Sequence, residues 1–516
     1  MLFRSLTFLL ALAMVLTMHS FALADEPVTI RIAHWDVETA LGMGEDAVRD
    51  MVEQKFGIRL EPMNTTWDDY VQKIQAWAAA DSLPDIFSID AICTPNYYAW
   101  IADEVVRPLP ADLSAYPNLM EYLDVDDIQA LKIDGQLYCI PRKSQPNPYW
   151  MVGDRVIVYR WDLAQKAGVT KEPETFEEFR AMIQAIIKAD PEGKQIQGLT
   201  SLQAKQLDGF LFTYSMPAAM SDGSGSDYKW VKGEDGMFRP RYFTTDMLST
   251  FQLARDMYAE GTIEKDYALT TSSTAAEKFL TGRSAAILGG GGVEACYGRF
   301  GKDWPSANDG RNFFDDVRVL GVLEGKDGVR TFPMFRTAWS ESYVSAKVDD
   351  AKMEKILQLY DFLVSKEGQM LINWGIENVD YEMKDGKAVS LLTDTSLGTK
   401  YPSTGILNGL ASWGQSRTNR DYPTSAPTEE YRDGDFDLYE QAVATGELPS
   451  FDMRITYMST PLKDKFIIYQ ADDLMAVMMG SEPVEKMVDD LLKSYADKGL
   501  EAMIQEVNEK AAEMGY

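Results

Sequence analysis

The sequence predicts an α/β protein made of two α/β units, and three observations support this fold class. Strand and helix patterns alternate between residues 29 and 89, as in a sheet of parallel strands covered by helices. The alternation breaks over 134–155, where a Gly turn precedes a polar, Pro-rich stretch typical of a crossing between units. A second alternation begins at Val156. The length of 516 residues fits two large domains or about three of ordinary size.

Hydrophobic periodicity and capping residues predict each element of the first unit. Alternating apolar residues predict strands, apolar residues at helical spacing predict helices, and Gly57 is a helix stop. The predicted elements are a strand at 29–33, a helix at 45–56, a strand at 58–62, a helix opened by a T-x-x-D cap at Thr66, and a strand at 85–89 closed by Asp90.

The same signals predict the second unit. Gly168 is a helix stop, and Thr175 with Glu178 forms a capping box. The Gly-, Ser- and Asp-rich stretch 221–243 favours a β-hairpin or a surface loop. The other predicted elements are strands at 156–159, 284–288, 317–322 and 342–345, and helices at 162–167, 247–258, 353–364 and 484–495, with one more helix capped by Thr274.

The N-terminus predicts export from the cytoplasm. Arg4, the apolar run 9–16 and the small-x-small sequence 22–24 form the pattern of a cleavable signal peptide, so we expect residues 1–24 to be removed. The alternative is a membrane anchor, but the apolar run is shorter than the roughly 20 residues of a spanning helix. No Cys stands near the cleavage point, so a lipid-attachment site is not predicted. The predicted location is periplasmic or secreted.

Composition argues against several classes of function. The net charge of −30 disfavours nucleic acid and anionic membranes as partners. Cys93, Cys139 and Cys296 lack metal-ligand spacing. The sequence does not determine whether two of them form a disulfide. His34 is the one histidine beyond the predicted signal peptide, so any Ser-His or Cys-His nucleophile would depend on it. We therefore predict no catalytic residues, no metal and no cofactor.

The order and spacing of short motifs resemble those of a known family. The chain is similar to the extracellular solute-binding proteins of ABC importers, family 1, in particular to the large, oligosaccharide-binding, lipoprotein-like branch. The motifs that carry the resemblance are 83–86 (LPDI), 134–141 (DGQLYCIP), 159–163 (YRWDL), 173–178 (PETFEE), 258–263 (YAEGTI), 279–286 (FLTGRSAA) and 375–377 (GIE). Many members carry an EF-hand-like loop, but 190–195 here is too poor in oxygen ligands for calcium.

This resemblance implies a two-lobed, periplasmic-binding-protein-like (type II) fold, each lobe a mostly parallel sheet flanked by helices, with the ligand cleft between the lobes. We expect lobe 1 to contain 25–150 and about 313–346, and lobe 2 to contain 151–312 and 347–516. The implied function is the capture of a carbohydrate, in particular an oligosaccharide, by closure of the lobes. The implied partners are the permease subunits of an ABC importer, and we expect a monomer.

Candidate ligand-binding residues follow from the chemistry of sugars. Aromatic rings cover the apolar face of a sugar ring, and carboxylates and Arg bind its hydroxyl groups. Loops after the carboxyl ends of strands line the crevice of such folds. The predicted ligand-binding residues are Trp35, Asp36, Asp90, Tyr97, Arg142, Trp339, Trp374 and Trp413. Core packing stays an alternative for Trp35 and Trp374, an exposed linker charge for Arg142 and Lys143, and a helix staple for Trp67.

Three other functions remain open on the sequence. The many Asp and Glu residues allow a secreted glycan-active enzyme with paired carboxylates, although such pairs arise easily in so acidic a chain. A receptor component that reports ligand to a sensor kinase would share the same fold. The ligand could also be a peptide or another small polar solute.

Overall fold

The computed structural model describes most of the chain beyond residue 25. The described residues are 26–35, 37–41, 44–92, 94–145, 147, 149–150, 155–202, 206–215, 228–289, 291–332, 334, 336–393, 395–411, 428–447 and 451–516. The predicted signal peptide and the predicted ligand residues Asp36 and Trp413 lie outside these ranges. Across them, no helix is both long enough and apolar enough to span a bilayer.

A five-stranded sheet forms the centre of the first lobe, in the order β2-β1-β3-β11-β4. Strand β1 pairs in parallel with β2 and β3, whereas β11 pairs antiparallel with β3 and β4. The strands are β1 (Val28–Ala33), β2 (Ile58–Pro62), β3 (Ile86–Ile89), β4 (Ile140–Lys143) and β11 (Ala338–Val344). The predicted strands 29–33, 58–62 and 85–89 are confirmed.

Helices cover this sheet along the first stretch of chain. They are α1 (Val37–Leu41), α2 (Ala47–Phe56), α3 (Tyr70–Ala79), α4 (Pro95–Ala102), α5 (Pro117–Leu123) and α6 (Asp126–Gln129). Asp46 caps α2 by accepting a hydrogen bond from Arg49 N–H, and Gly57 ends it with φ +60°, a conformation that glycine adopts without steric cost.

A four-stranded sheet, in the order β10-β5-β9-β6, forms the second lobe. Strands β6 and β9 are parallel, whereas β5 is antiparallel to β9 and to β10. The strands are β5 (Ile157–Arg160), β6 (Gln197–Ser201), β9 (Ser284–Leu288) and β10 (Val317–Val319). Both sheets are therefore mixed, which corrects the expectation of mostly parallel sheets. In the first sheet the reversed strand is β11, which comes late in the chain, and in the second sheet it is β5, the first strand of that sheet.

Eight α-helices of the described chain follow β5 and precede the return to the first sheet. They are α7 (Trp161–Lys166), α8 (Phe176–Ala189), α9 (Asp208–Leu211), α10 (Met247–Glu260), α11 (Ser272–Leu280), α12 (Val293–Cys296), α13 (Trp304–Ala307) and α14 (Phe313–Asp316). The hairpin β7 (Trp230–Lys232) and β8 (Phe238–Pro240) confirms the hairpin predicted within 221–243, although 216–227 lie outside the described residues.

The C-terminal third of the chain contributes helices to both lobes. Helices α15 (Asp350–Val364), α16 (Lys366–Trp374) and α18 (Ser403–Ala411) pack in the core of the first sheet. Between α16 and α18 come the hairpin β12 (Tyr381–Lys384) and β13 (Lys387–Ser390) and helix α17 (Leu397–Lys400). The remaining helices are α19 (Thr428–Thr445), α20 (Met453–Tyr457), α21 (Gln470–Met479), α22 (Val484–Asp497) and α23 (Leu500–Glu513); the last three belong to the second core.

This packing corrects the predicted division of the chain. Strand β10 lies within 313–346 but pairs with β5 of the second lobe. Helices α15, α16 and α18 lie within 347–516 but pack on the first sheet. An amphipathic pattern shows that a helix has a buried face, and it does not show which sheet that face covers.

One smaller prediction, the cap of helix α11, changes in the structure. Helix α11 is capped by Thr271, whose hydroxyl accepts from Thr274 N–H, so the cap lies three residues before the predicted one. The loop 190–195 is closed by its own residues, because Asp190 accepts from the backbone N–H groups of Lys194 and Gln195. Its one other carboxylate, Glu192, binds Lys166 and Lys194 at 2.5 and 2.7 Å.

Two connections between the lobes run side by side. The first leaves β4 through Ser144 and Gln145, and the second enters β11 through Arg336 and Thr337. Thr337 C=O accepts from Ser144 N–H at 2.9 Å, and Arg336 C=O accepts from the Gln145 side-chain amide. A pair of hydrogen-bonded connections is a compact place for the few dihedral changes of a hinge.

Candidate functional site

Three tryptophans meet at the edge of the first sheet from which these connections depart. Trp35 follows β1, Trp67 precedes α3, and Trp339 lies in β11. The ring centroids of Trp35 lie 5.5 Å from those of Trp67 and Trp339, and Trp67 and Trp339 are 5.9 Å apart. The side chain of Trp67 is 52% exposed. We call these three residues the aromatic platform.

Arg142 lies beneath the platform at the end of β4. Its guanidinium carbon is 4.7 Å from the ring centroid of Trp35 and 4.8 Å from that of Trp339, and its Nε donates to Trp339 C=O at 3.3 Å. Burial lowers the pKa of Arg142 to about 10, so the group stays charged at neutral pH. A planar cation that contacts two neighbouring indole rings holds both of them by cation–π contact.

His34 supports the platform from the core. Its ring centroid lies 3.7 Å from that of Trp35, and burial lowers its pKa to about 4. A Cβ atom at Gly409 would lie 2.8 Å from His34 Nε2, so the glycine of α18 makes room for the imidazole. The one described histidine is therefore a buried neutral packing group, and it does not have the exposure of a general base.

Charged groups continue from the platform along the loop after β3. Arg336 donates from its guanidinium to Asp90 and to Ala338 C=O. Tyr70, whose ring centroid is 5.5 Å from that of Trp35, has its pKa raised to about 12 by burial and by the charges of Asp90 and Glu341. Rings and charged groups thus lie together at one end of the first sheet, which is the combination that hydroxylated ring ligands need.

Glu341 holds the loop that presents Asp90. Its Oε1 accepts from the backbone N–H groups of Ala91 and Ile92 at 2.7 and 2.9 Å and from Tyr343 OH at 2.6 Å. Burial, reinforced by the charge of Asp90, raises the pKa of Glu341 to about 8. The residue is 1% exposed, so it acts on the site through the loop and not by touching a ligand.

A β-bulge in β11 sets the direction of Trp339. The register between β11 and β4 shifts between Ala338 and Glu341, and Ser340 has φ +61°, a left-handed conformation that is uncommon outside glycine, Asn and Asp. Such bulges turn side chains away from the regular alternation and concentrate near binding sites. The sequence has no Gly, Asn or Asp at this bulge, and the alternating pattern of β11 does not predict it.

Four of the residues predicted to bind ligand lie together at the end of the first sheet, namely Trp35, Asp90, Arg142 and Trp339. Trp374 lies elsewhere, with its ring centroid 6.1 Å from that of Tyr381 in the β12–β13 hairpin. Asp36 and Trp413 fall outside the described residues.

Tyr97 is a correction to the predicted site. It is 2% exposed, packs in the first core and donates its hydroxyl to Leu131 C=O at 3.2 Å. Its place on the inner face of α4 follows from the helical spacing of Tyr97 and Trp100, which puts both rings on the same buried side of the helix.

Sequence reasoning missed three residues of the site. The expectation for Trp67 is a helix staple, whereas in the structure it is the most exposed ring of the platform. Arg336 and Glu341 stood in a segment without a motif. The available signal was the density of aromatic and charged residues over 336–343, which is unusual for a strand that is buried on both faces.

Glu341 makes the stability of the first lobe depend on pH. Because its pKa is raised from 4.5 to about 8, its contribution to stability is fully present below pH 4.5 and is lost as the pH rises through 8. Glu341→Gln keeps an acceptor for the loop and removes the titration. Melting temperatures measured between pH 5 and 8.5 should show this variant gaining on the wild type as the pH rises, by several degrees at pH 8.5.

The control for this experiment is Glu61→Gln, which neutralises an exposed glutamate on β2 and should follow the wild-type pH profile. If the melting temperature of Glu341→Gln depended on pH as that of the wild type does, Glu341 would not be the group that titrates.

Comparison with known proteins relates the chain to a family and to two curated proteins. The family model described as bacterial extracellular solute-binding protein matches residues 47–375. Lipoprotein LipO of Bacillus subtilis (strain 168) is 26% identical over 299 residues, 54% of this chain and 54% of that protein. The polygalacturonan/rhamnogalacturonan-binding protein YtcQ of the same strain is 24% identical over 328 residues, 63% of this chain and 62% of that protein. The chain thus spans a little over half the length of these curated relatives.

Solved structures show the same fold at low identity. The alginate-binding protein AlgQ2, crystallised without calcium ion, superposes with a TM-score of 0.68 at 16% identity, covering 94% of this chain and 98% of that one. The Streptococcus pneumoniae ABC-transporter substrate-binding protein FusA, in complex with kestose, gives 0.67 at 16% identity, with 94% and 99% covered. Since the family model covers more than half of the sequence, this chain belongs to the bacterial extracellular solute-binding protein family.

Proposed function

We propose that this protein is the carbohydrate-binding component of an ABC importer and that it captures an oligosaccharide between its two lobes. The observation that carries the proposal is the aromatic platform: three indole rings within 5.9 Å of one another, joined to Asp90, Arg142 and Arg336, at the sheet edge next to the interlobe connections. Indole faces bind the C–H face of a sugar ring, and the charged groups bind its hydroxyls.

The relatives support a sugar as the ligand class. YtcQ is named for binding polygalacturonan and rhamnogalacturonan, and FusA was solved with kestose. Lobe closure gives the mechanism, because a ligand that touches both lobes stabilises the closed form. Shifting the open-to-closed ratio from 99:1 to 1:99 needs about 5.5 kcal/mol of differential binding, which a few stacked rings and charge-assisted hydrogen bonds supply. The closed protein would then dock, as a monomer, on the permease subunits.

The proposal is tested by a thermal-shift screen against neutral and acidic mono- and oligosaccharides, with peptides as the comparison class. A saccharide present at 100 times its dissociation constant should stabilise the protein by about 2.7 kcal/mol. Small-angle scattering with that saccharide should show a smaller radius of gyration than without it. Stabilisation by peptides alone would contradict the proposal.

A hydrolysis assay distinguishes capture from catalysis. The saccharide found in the screen should be recovered intact after prolonged incubation with the protein. Turnover of that saccharide would support the alternative of a secreted glycan-active enzyme.

A further inference from the structure

The edge strands of the two large sheets are the places where the fold could accept a further strand. They are β2 and β4 in the first sheet and β6 and β10 in the second. An unpaired edge presents a row of N–H and C=O groups that can bind another extended chain, so proteins usually cover or block their edges. The described chain blocks three of these edges with its own residues.

Side chains block both edges of the first sheet. On β2, Leu60 N–H donates to the Glu53 carboxylate at 2.8 Å. On β4, the Tyr122 hydroxyl accepts from Lys143 N–H at 2.7 Å and donates to Pro141 C=O at 2.8 Å. An added strand would have to displace these side chains.

The backbone of a later segment blocks the edge of β6. Leu199 N–H donates to Thr262 C=O at 2.7 Å, and Leu199 C=O accepts from Glu264 N–H at 3.1 Å. Residues 262–264 therefore occupy the position that a further strand would take on this side of the second sheet.

Strand β10 keeps an open edge. Leu320 N–H donates to Ile157 C=O of β5 at 2.8 Å, and backbone direction alternates along a strand, so Val319 points its N–H and C=O away from β5. Gly321 follows two residues later, and a Cβ atom built on it would have no neighbour within 4 Å. Within the described part of the chain, the backbone groups of Val319 and Gly321 have no hydrogen-bond partner.

A groove of about 740 Å³ runs along this open edge. Its walls are β10 with the residues that follow it, the loop 172–174 and one face of α19, which contributes Leu438 and Ala442. The volume is in the range of ligand-binding clefts. Because α19 faces β10 across the groove, the space suits one extended chain and not the edge of a second sheet.

The charges that line the groove favour a basic occupant. Glu172 and Glu174 lie 3.8 and 3.7 Å from the arginines 318 and 330, so these charges offset one another. Glu430, exposed at the start of α19, also lines the groove and forms no ion pair within the described chain. The remaining negative charge, in a chain of net charge −30, attracts cationic groups.

We propose that the edge of β10 binds an extended, basic segment of a partner protein, which joins the second sheet as an added strand and fills the groove beside α19. Val319 and Gly321 supply the main-chain hydrogen bonds, as is general in strand addition, and Glu430 attracts the basic side chains. The site lies on the second lobe, whereas the aromatic platform lies on the first, so this inference is independent of the proposed function.

A labelled hexapeptide of alternating lysine and valine is the probe, and fluorescence anisotropy measures its dissociation constant. Two isomers of this peptide carry N-methyl groups on all lysine or on all valine backbone nitrogens, with the same charge and mass. An added strand bonds through one of its edges, and the N–H groups of alternate residues share an edge. We therefore expect one isomer to bind at least about tenfold more weakly and the other to bind like the parent peptide.

Variants of the protein assign the binding to this edge. Val319→Pro removes the outward N–H without touching the bonds to β5, a position that tolerates proline, and should weaken the parent peptide about tenfold. Glu430→Gln should weaken it about threefold. Glu485→Gln removes the same charge from an exposed position of α22 in the same lobe and should bind like the wild type.

The outcomes decide between occupants and separate this inference from saccharide capture. Equal affinity of the two methylated isomers, or tighter binding of a glutamate–valine hexapeptide, overturns the strand addition of a basic segment. A concentration-dependent dimer that Val319→Pro dissociates assigns the edge to a second copy of the chain and also overturns it. If Val319→Pro does not fold, the two isomers decide the question with the wild type. Saccharide binding should be the same in all these variants, and it stands or falls by its own screen.

Discussion

Replacing Trp339 by Ala should weaken saccharide binding by at least about 2 kcal/mol, or roughly thirtyfold. Trp339 contacts the other two rings of the platform and covers one face of Arg142. Its removal therefore deletes one stacking surface and frees the guanidinium that orients Trp35. Calorimetric titration with the saccharide that stabilises the wild type most would measure the loss, and Trp339→Phe should recover part of it.

Trp77→Ala provides the matched control for this experiment. Trp77 lies in α3 of the same lobe and packs against the first core, away from the platform. Its removal should lower the melting temperature by several degrees because it leaves a cavity, and it should leave the affinity of the folded protein unchanged. Wild-type affinity in Trp339→Ala would remove the platform from the binding site.

The largest effect on folding is expected from Arg160→Met, which should destabilise the second lobe by about 3–5 kcal/mol. Arg160 is fully buried and makes two parallel hydrogen bonds of 2.8 Å to Asp162. Its guanidinium carbon also lies 4.8 Å from the ring centroid of Trp304. Methionine leaves Asp162 buried with Arg311 as its remaining cation, at 3.3 Å. Denaturant unfolding followed by tryptophan fluorescence measures the loss.

Two further variants show whether the stability lost in Arg160→Met comes from breaking a buried ion pair. Arg239→Met breaks a similar two-bond pair with Asp235 that is exposed to solvent, and exposed pairs contribute at most about 1 kcal/mol. Arg160→Met combined with Asp162→Asn removes the uncompensated buried charge and should recover part of the lost stability. If both arginine variants cost the same, burial of the Arg160 pair is not the cause of its effect.

Local signals in the sequence predicted the elements well, because strand alternation, helix caps and glycine stops depend on a few neighbouring residues. The capping box is an example: Thr175 accepts from Glu178 N–H, and the Glu178 carboxylate accepts from Glu174 N–H. The family-like motif at 159–163 also has a physical basis, since it supplies the buried pair of Arg160 and Asp162.

Packing and strand pairing between distant parts of the sequence could not be predicted in the same way. Which sheet α15 covers depends on packing between residues that are hundreds of positions apart, and the bulge at Ser340 depends on the pairing of β11 with β4. Trp35 and Asp90 could be singled out because they follow β1 and β3, and Arg142 because it lies beside an interlobe connection. Trp339 is the fourth of the predicted residues that lie together in the candidate site. Trp67 and Glu341 were missed because their roles come from neighbours that only the folded chain brings close.

The insertion of β11 between β3 and β4 has a consequence for biosynthesis. The ribosome delivers β3 and β4 early, but the strand that separates them arrives about 200 residues later, after all four strands of the second sheet have been translated. Until then the nascent first lobe has two unjoined edges, which are prone to pair with other chains. Delayed closure of this kind keeps a polypeptide unfolded for longer, and a truncation before residue 338 should yield an N-terminal fragment that aggregates instead of folding.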